Sequence, residues 1–259
     1  SGSGDVLNIT HNGSVSGSST STGSFGHLKQ NGNELPEFNS PGSDIAIGND
    51  AGNAVDGTGA NVIMGLSAGK IFTSAAGGGF RSVIIGYQAA QNRVSGSDNI
   101  VIGSRAAFGN ANTNKDIGND NILIGENTGY NLKGDTGPYN ASENVYIGKN
   151  AGQNATDGTK NIALGGNSGT GIVNGSYNVI IGQGSGGTNP SNSVLIGQSS
   201  GLTASSTKEI VIGSGVTGHG SNTTTIGTTT MTDIYFASGS ATGATFHGVK
   251  DFSGNVSGS

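Results

Sequence analysis

The sequence lacks several residue types that would define common classes of protein. It contains no cysteine and no tryptophan, only 4 prolines, and 10% charged residues among 259. Without cysteine there can be no disulfide framework, thiolate metal site or cysteine nucleophile. With so few prolines, and without glycine at every third position, the chain cannot form a collagen triple helix.

Long apolar runs and basic clusters are missing too. No stretch approaches the ~18 apolar residues of a membrane helix, and no signal peptide is recognisable. The 11 basic residues are spread thinly in a chain of net charge -5, which argues against a nucleic-acid groove. Glycine, by contrast, is abundant, with 50 residues. Disorder, a silk-like fibre or a repetitive β architecture therefore remain.

A short motif decides between these alternatives because it recurs eleven times. It consists of a polar residue, a β-branched residue, a variable residue, an aliphatic residue and glycine, as in NILIG at 121–125 and NVIIG at 178–182. The terminal glycines are 14 to 23 residues apart, at 48, 65, 86, 103, 125, 148, 165, 182, 197, 213 and 227. A disordered chain does not keep such a phase, so the repeat predicts an ordered array.

Within each copy, two apolar residues are two positions apart, which places both on one face of a β-strand. The residue between them ranges from Ala46 to Tyr146, which predicts that the opposite face is less constrained. The glycine after them suits a turn with positive φ or a close backbone approach. A small residue, such as Ala51 or Ala68, comes three positions after most of the glycines. The opening Asn or Ser suits a stacked polar ladder. We therefore predict an all-β fold, a repetitive short-strand β-solenoid or β-roll-like fibre.

The aliphatic pairs predict association. One pair and one small residue per coil make a thin core for a single chain, so we expect neighbouring chains to cover the pairs. Three copies around a threefold axis would close the arrangement, which predicts an intertwined or side-by-side homotrimer. The predicted assembly core comprises Ile45, Ile47, Val62, Met64, Val83, Ile85, Ile100, Ile102, Ile122, Ile124, Val145, Ile147, Ile162, Leu164, Val179, Ile181, Val194, Ile196, Ile210 and Ile212.

The repeated pattern resembles the head repeats of trimeric autotransporter adhesins and, equally, the repeats of bacteriophage tail-fibre shafts. The resemblance covers about 44–227, and the spacings of 17 to 23 residues look more like the tail-fibre repeats. It implies a structural, non-enzymatic segment of an extracellular or virion fibre that contributes to host attachment. A cell-surface adhesin head or a self-assembling extracellular filament protein is the alternative.

The flanks divide the chain into three regions: an N-terminal Ser/Gly-rich connector at 1–43, the repeat shaft at 44–227 and a C-terminal connector at 228–259. The last six residues match 13–18 at five positions, so the chain's end restarts its N-terminal module. Either a longer polypeptide carries recurring connectors, or chains abut end to end in a filament.

No catalytic or cofactor-binding constellation is evident. The four histidines, at 11, 27, 219 and 247, are dispersed. Two Asp-Gly-Thr triplets, at 56–58 and 157–159, could offer oxygen ligands to Ca²⁺, although Asp-Gly is also an ordinary turn pair. We predict no enzyme activity, no cofactor, no metal, no nucleic-acid partner and no membrane insertion.

The longest intervals between strands hold the candidate receptor contacts. Aromatic and arginine side chains on loops held by a rigid scaffold suit glycan or protein recognition, although capping of the grooves between chains is the favoured interpretation. These candidates are Phe72, Phe80, Arg81, Arg105, Phe108, Tyr130 and Tyr139.

Overall fold

A computed structural model describes most of the repeat region. It describes residues 44–55, 59–72, 81–109, 116–134, 141–228 and 230–231, together with three two-residue strands between 29 and 39. The remainder of both predicted connectors lies outside the described residues.

Every copy of the motif forms a three-residue strand, as the period of two predicts. A hairpin of β1 (Lys29–Gln30) and β2 (Asn33–Glu34) and the strand β3 (Phe38–Asn39) come first. The eleven strands of the repeat follow: β4 (Ile45–Ile47), β5 (Val62–Met64), β6 (Val83–Ile85), β7 (Ile100–Ile102), β8 (Ile122–Ile124), β9 (Val145–Ile147), β10 (Ile162–Leu164), β11 (Val179–Ile181), β12 (Val194–Ile196), β13 (Ile210–Ile212) and β14 (Thr224–Ile226).

The eleven repeat strands stack in chain order into one parallel sheet. Equivalent residues stand opposite one another, so that Ile122 pairs with Val145 and Leu123 with Tyr146. At the N-terminal edge of the sheet, β3 pairs antiparallel with β4. This strand belongs to the segment predicted as a connector. The fold is therefore a parallel β-solenoid, which confirms the predicted all-β class.

From β4 to β13, the middle residue of each strand points into the solenoid. Ala46, Ile63, Leu123 and Tyr146 have at most 1% of their surface exposed, whereas the residues on either side of them are half-buried or exposed. The prediction that this middle position faces the less constrained side of the strand is therefore wrong. The position varies in size because each coil adjusts its own interior; the Tyr146 ring, for example, occupies the space that a Cβ at Gly152 would need.

A second apolar row completes the interior. In many coils a second small residue, such as Gly52 or Gly69, directly follows the first one. The second apolar row lies three positions after it and includes Val55, Phe72, Leu132 and Ile172. The two rows meet, since a Cβ at Gly52 would lie 3.1 Å from Cβ of Ala46 and 3.3 Å from Val55. The expectation of a thin core for one chain is therefore wrong, because each solenoid fills its own interior.

The glycine after each strand is required for two reasons. At Gly65 φ is +127°, a region that L-residues rarely adopt, and a Cβ there would lie 2.5 Å from the carbonyl oxygen of Gly86 in the next coil. The small residues three positions later, such as Ala68 and Ala151, are fully buried. The predicted positive φ and the predicted close backbone approach at the glycine are both confirmed.

The opening residues of the repeats form the expected polar ladder inside the solenoid. The backbone amide of each ladder residue donates to the side-chain oxygen of the ladder residue one coil earlier. The amide of Asn121 reaches Oδ1 of Asn99 at 3.0 Å, and the amide of Asn144 reaches Oδ1 of Asn121 at 3.0 Å. The side-chain amides donate to turn carbonyls, as Asn144 does to Gly158 at 2.9 Å. The ladder runs from Asp44 through Asn61, Ser82, Asn99, Asn121, Asn144, Asn161, Asn178 and Ser193 to Glu209.

Candidate assembly surface

The outer face of the sheet carries two parallel columns of aliphatic side chains. We call this surface the aliphatic strip; it comprises the twenty residues predicted as the assembly core, with Ile226 at its C-terminal end. None of the side chains is buried: twelve of the twenty are half-buried, and the others are exposed, among them Ile45 at 48%, Ile196 at 40% and Met64 at 36%. The structure thus brings all the predicted assembly residues onto one face of the single chain.

The dimensions of the strip set it apart from scattered surface apolar residues. Eleven strands about 4.8 Å apart extend for about 48 Å, and three residues per strand give a width of about 10 Å. The flat area is then roughly 480 Å², which falls in the range of the largest apolar patch on a typical monomer. The largest apolar patch on a monomer is often a functional surface.

The strip is bounded on one side by the residues that follow the strand-ending glycines. We call this column the glycine border; its members include Asn49, Leu66, Tyr87, Ser104, Glu126, Lys149, Gly166 and Gln183. Leu66 and Tyr87 are 47% and 50% exposed and widen the apolar surface beside β5 and β6. Farther along, Nζ of Lys149 lies 3.0 Å from Oε2 of Glu126.

The residues that precede the polar ladder bound the other side. This ladder border includes Ala60, Arg81, Asp98, Asp120, Glu143, Lys160 and Tyr177, all of which have φ between +51° and +61°. Nε and Nη2 of Arg81 each lie 2.7 Å from a different carboxylate oxygen of Asp98. This forked contact raises the pKa of Arg81 and lowers the pKa of Asp98. Each border therefore neutralises most of its charges within the same chain.

The candidate receptor residues do not form one cluster. Phe72 is fully buried in the second apolar row, so it presents no surface to a partner. Phe108 and Tyr130 are half-buried and stack on each other, with ring centroids 5.2 Å apart. Arg81 and Arg105 are exposed. Phe80 and Tyr139 lie outside the described residues.

Arg93 is a buried charge that the repeat motif does not reveal. It occupies the second apolar row, three positions after Ala90, in the place that Phe72 fills one coil earlier. Its guanidinium donates to the carbonyl oxygens of Ala107 at 2.9 Å, Asp116 at 3.2 Å and Tyr130 at 3.1 Å. Burial lowers the pKa of Arg93 to about 10, so the group keeps its charge at neutral pH. Its position three residues after the second residue of the small pair Ala89–Ala90 is the sequence signal that could have located it.

Glu209, the last residue of the polar ladder, is a second buried ionisable side chain. The Glu209 carboxylate accepts hydrogen bonds from the amides of Thr203 at 2.9 Å and Gly220 at 2.7 Å. Burial acts to raise the pKa of this carboxyl group, but the surrounding donors outweigh it and the pKa lies below its usual value. Glu209 therefore holds the last turns of the solenoid as a carboxylate.

The described residues contain no group of three His, Asp or Glu side chains arranged to hold a metal ion. His219 contacts the Thr225 hydroxyl at 2.9 Å, and the other histidines lie outside the described part. Of the two Asp-Gly-Thr triplets, the one at 56–58 also lies outside it. In the other, the carboxylate of Asp157 accepts from the Thr156 hydroxyl at 3.4 Å.

The fold defines the chain as a single-sheet parallel β-solenoid with an exposed aliphatic face. No family model matches the sequence, and no curated protein or solved structure is significantly similar to it. Over the residues that the structure describes, there is no helix with the length and apolar character needed to cross a membrane.

Proposed function

We propose that this protein is a structural, non-enzymatic segment of an extracellular or virion fibre, most like a phage tail-fibre shaft, whose chains associate through the aliphatic strip. The observation that carries the proposal is the strip itself. The interior of the solenoid is already filled, yet about twenty aliphatic side chains remain on one continuous outer face. A second use for that face, as an interface between copies, explains why they are aliphatic.

Three copies around an axis parallel to the solenoid would cover the strips completely. Removing roughly 480 Å² per chain from water contributes about 12 kcal/mol at ~25 cal/mol per Å², or about 36 kcal/mol for three chains. Two association steps cost roughly 4–15 kcal/mol each. The burial is of the same order as this cost, to which the ordering of interface side chains adds. Closed cyclic symmetry leaves no strip open for unlimited growth.

Light scattering after size exclusion tests the assembly directly. We expect a mass three times that of the 25.4 kDa chain. Ile124→Asp places a charge in the middle of the strip and should abolish assembly. Gln153→Asp places the same charge on a half-buried side chain in the turn after β9, outside the aliphatic strip, and should leave the trimer intact. A monomeric mass for the folded parent chain would overturn the proposal.

A role in host attachment is the second element of the proposal. Arg105 is exposed in the turn after β7. Phe108, three residues later in the same turn, is half-buried and stacks on half-buried Tyr130 of the next coil. These side chains suit a glycan or protein on a host surface. Binding of labelled trimer to candidate host cells should weaken in Arg105→Ala and persist in Thr217→Ala, a substitution of an exposed residue in the turn after β13. Equal binding by both variants would remove Arg105 from the receptor surface.

The alternative is a cell-surface adhesin head or an extracellular filament protein, since the repeat resembles adhesin heads as well. A membrane anchor or coiled-coil stalk in the full gene would favour the adhesin, and neighbouring virion genes would favour the tail fibre. The non-enzymatic assignment has its own test: host polysaccharide incubated with the protein should show no new reducing ends.

A further inference from the structure

The turn between β10 and β11 contains an asparagine followed by glycine, Asn174–Gly175. The two other Asn-Gly pairs of the sequence, at 12–13 and 31–32, lie outside the described residues. Asparagine is among the thermolabile residues, most of all before glycine, because glycine puts no side chain beside the backbone nitrogen that can attack the carboxamide. In a folded protein the attack also needs an exposed carboxamide and a nitrogen without a hydrogen bond. Both conditions are met at this turn.

The backbone nitrogen of Gly175 takes no part in joining the coils. Its amide donates to none of the residues that the structure describes. The equivalent residue of the next coil is Pro190, which has no N–H at all. The fold does, however, require glycine at 175, because a Cβ there would overlap the carbonyl oxygen of Pro190. The solenoid therefore preserves the reactive dipeptide and leaves its nitrogen free to attack.

The carboxamide of Asn174 is exposed and lies outside the aliphatic strip, so association through the strip does not cover it. Asn154, in the turn after β9, provides a contrast because its side chain is exposed as well. The residue after it, Ala155, has a side chain, and its amide donates to the carbonyl oxygen of Gly152 at 3.0 Å. Exposure alone thus does not distinguish the two asparagines, but the nitrogen that follows each of them does.

We infer that Asn174 is a modification site, at which the folded protein deamidates without an enzyme. The nitrogen of Gly175 forms a bond to Cγ of Asn174, and the side-chain nitrogen leaves as ammonia with the proton that the Gly175 nitrogen loses. Water then opens the resulting cyclic imide at either carbonyl carbon, adding hydroxyl to that carbon and hydrogen to the nitrogen. The products are aspartate and isoaspartate at position 174.

The modification places a carboxylate where the structure has an amide. Asp157 occupies the equivalent position one coil earlier, and the Thr156 hydroxyl lies 3.4 Å from Oδ2 of Asp157 and 2.6 Å from Oδ1 of Asn174. A hydroxyl donates a single hydrogen, so two like-charged carboxylates would compete for it. In isoaspartate the backbone is also one methylene longer, beside the Asn189 Oδ1 that accepts from the amides of Val173 and Asn174, both at 2.9 Å. The modification therefore loosens contacts among three consecutive coils.

Timed incubation of the intact protein in mildly alkaline buffer, followed by peptide mass spectrometry, tests the inference. Residue 174 should gain the mass difference between an amide and an acid. A sample kept unfolded in guanidinium chloride gives the reference rate. The folded protein should convert no more than about tenfold more slowly, an added barrier of about 1.4 kcal/mol, because no hydrogen bond of the Gly175 amide has to break first.

Two comparisons make the result specific. Asn154 in the folded protein should convert at least about tenfold more slowly than Asn174, a barrier difference of about 1.4 kcal/mol or more. An isoaspartyl methyltransferase should label the tryptic peptide 161–208, which contains no aspartate of its own. Asn174→Gln, whose longer side chain disfavours ring closure, should remove that label.

A much greater slowing of Asn174 conversion in the folded protein would overturn the inference, and so would equal conversion of Asn154 and Asn174. Label that persists in peptide 161–208 of the Asn174→Gln protein would assign the reaction to another asparagine and overturn it as well. The inference does not depend on the proposed association. Light scattering tests the association separately, whatever happens at residue 174.

Discussion

The backbone amide of Asn161 donates a hydrogen bond to Oδ1 of Asn144, 3.0 Å away and one coil earlier. The same oxygen also accepts from the Tyr146 hydroxyl at 3.3 Å, while Nδ2 of Asn144 reaches the carbonyl of Gly158 at 2.9 Å. Asn144 therefore joins consecutive coils from inside the solenoid, where no water can replace it.

Asn144→Ala should strongly destabilise the fold because it leaves several buried donors and acceptors without partners. We expect a loss of about 2–5 kcal/mol in the free energy of unfolding, since each unsatisfied group costs roughly 1–3 kcal/mol. Denaturant titration measures it. Asn154→Ala removes an exposed amide in the turn after β9 and should cost less than about 1 kcal/mol, as surface substitutions usually do. Equal losses in the two variants would contradict the ladder's role.

The glycine stack gives a prediction that separates steric overlap from backbone strain. Gly65→Ala places a Cβ 2.5 Å from the Gly86 carbonyl oxygen at a φ of +127°, whereas Gly215→Ala, at +66°, meets nothing within 4 Å. Gly215→Ala should cost about 1 kcal/mol, the ordinary penalty for the left-handed region. Gly65→Ala should prevent folding or cost several times as much. Circular dichroism melting curves of the two variants make the comparison.

Arg93 predicts a different kind of sensitivity. Arg93→Lys keeps a positive charge, but one ammonium group cannot reach three carbonyl oxygens on two sides of the second apolar row, as the guanidinium does. We expect a loss of about 3–5 kcal/mol, typical of a broken buried charge network. Arg81→Lys, at an exposed ion pair, should change the unfolding midpoint only slightly. A small effect at Arg93 would show that the carbonyls find other donors.

Glu209 predicts the response to acid. Its pKa is lowered in the folded state, so its contribution to stability is present above the unfolded value of about 4.3 and is lost as pH falls through the folded pKa. The free energy of unfolding should therefore decrease below about pH 4. Glu209→Gln should flatten this slope, and a slope unchanged by the substitution would assign the acid sensitivity to other carboxylates.

The sequence predicts much of this fold because the repeat encodes it locally. All eleven strands fall where the period-two pattern places them, and the turn glycines and ladder residues follow from their phase. The choice of interior face does not follow. Ala46 and Tyr146 occupy the same interior position with very different volumes, so variability there suggested a free surface. Only the neighbouring small residues, such as Gly152 beside Tyr146, reveal that each coil compensates for its own middle residue.

Adjacent residues of β8 provide the sharpest separation of folding from assembly. Leu123 is fully buried inside the solenoid, and Ile124 lies on the aliphatic strip. Leu123→Ala should lower the stability of each chain by about 2–5 kcal/mol through loss of packing and a residual cavity. Ile124→Ala should instead weaken association, and a variant whose stability depends on subunit contacts melts at a temperature that rises with protein concentration. Melting curves at two concentrations a hundredfold apart, together with light scattering, distinguish the two effects. If Ile124→Ala lowers the melting temperature equally at both concentrations and leaves the mass unchanged, the outer column does not form the interface.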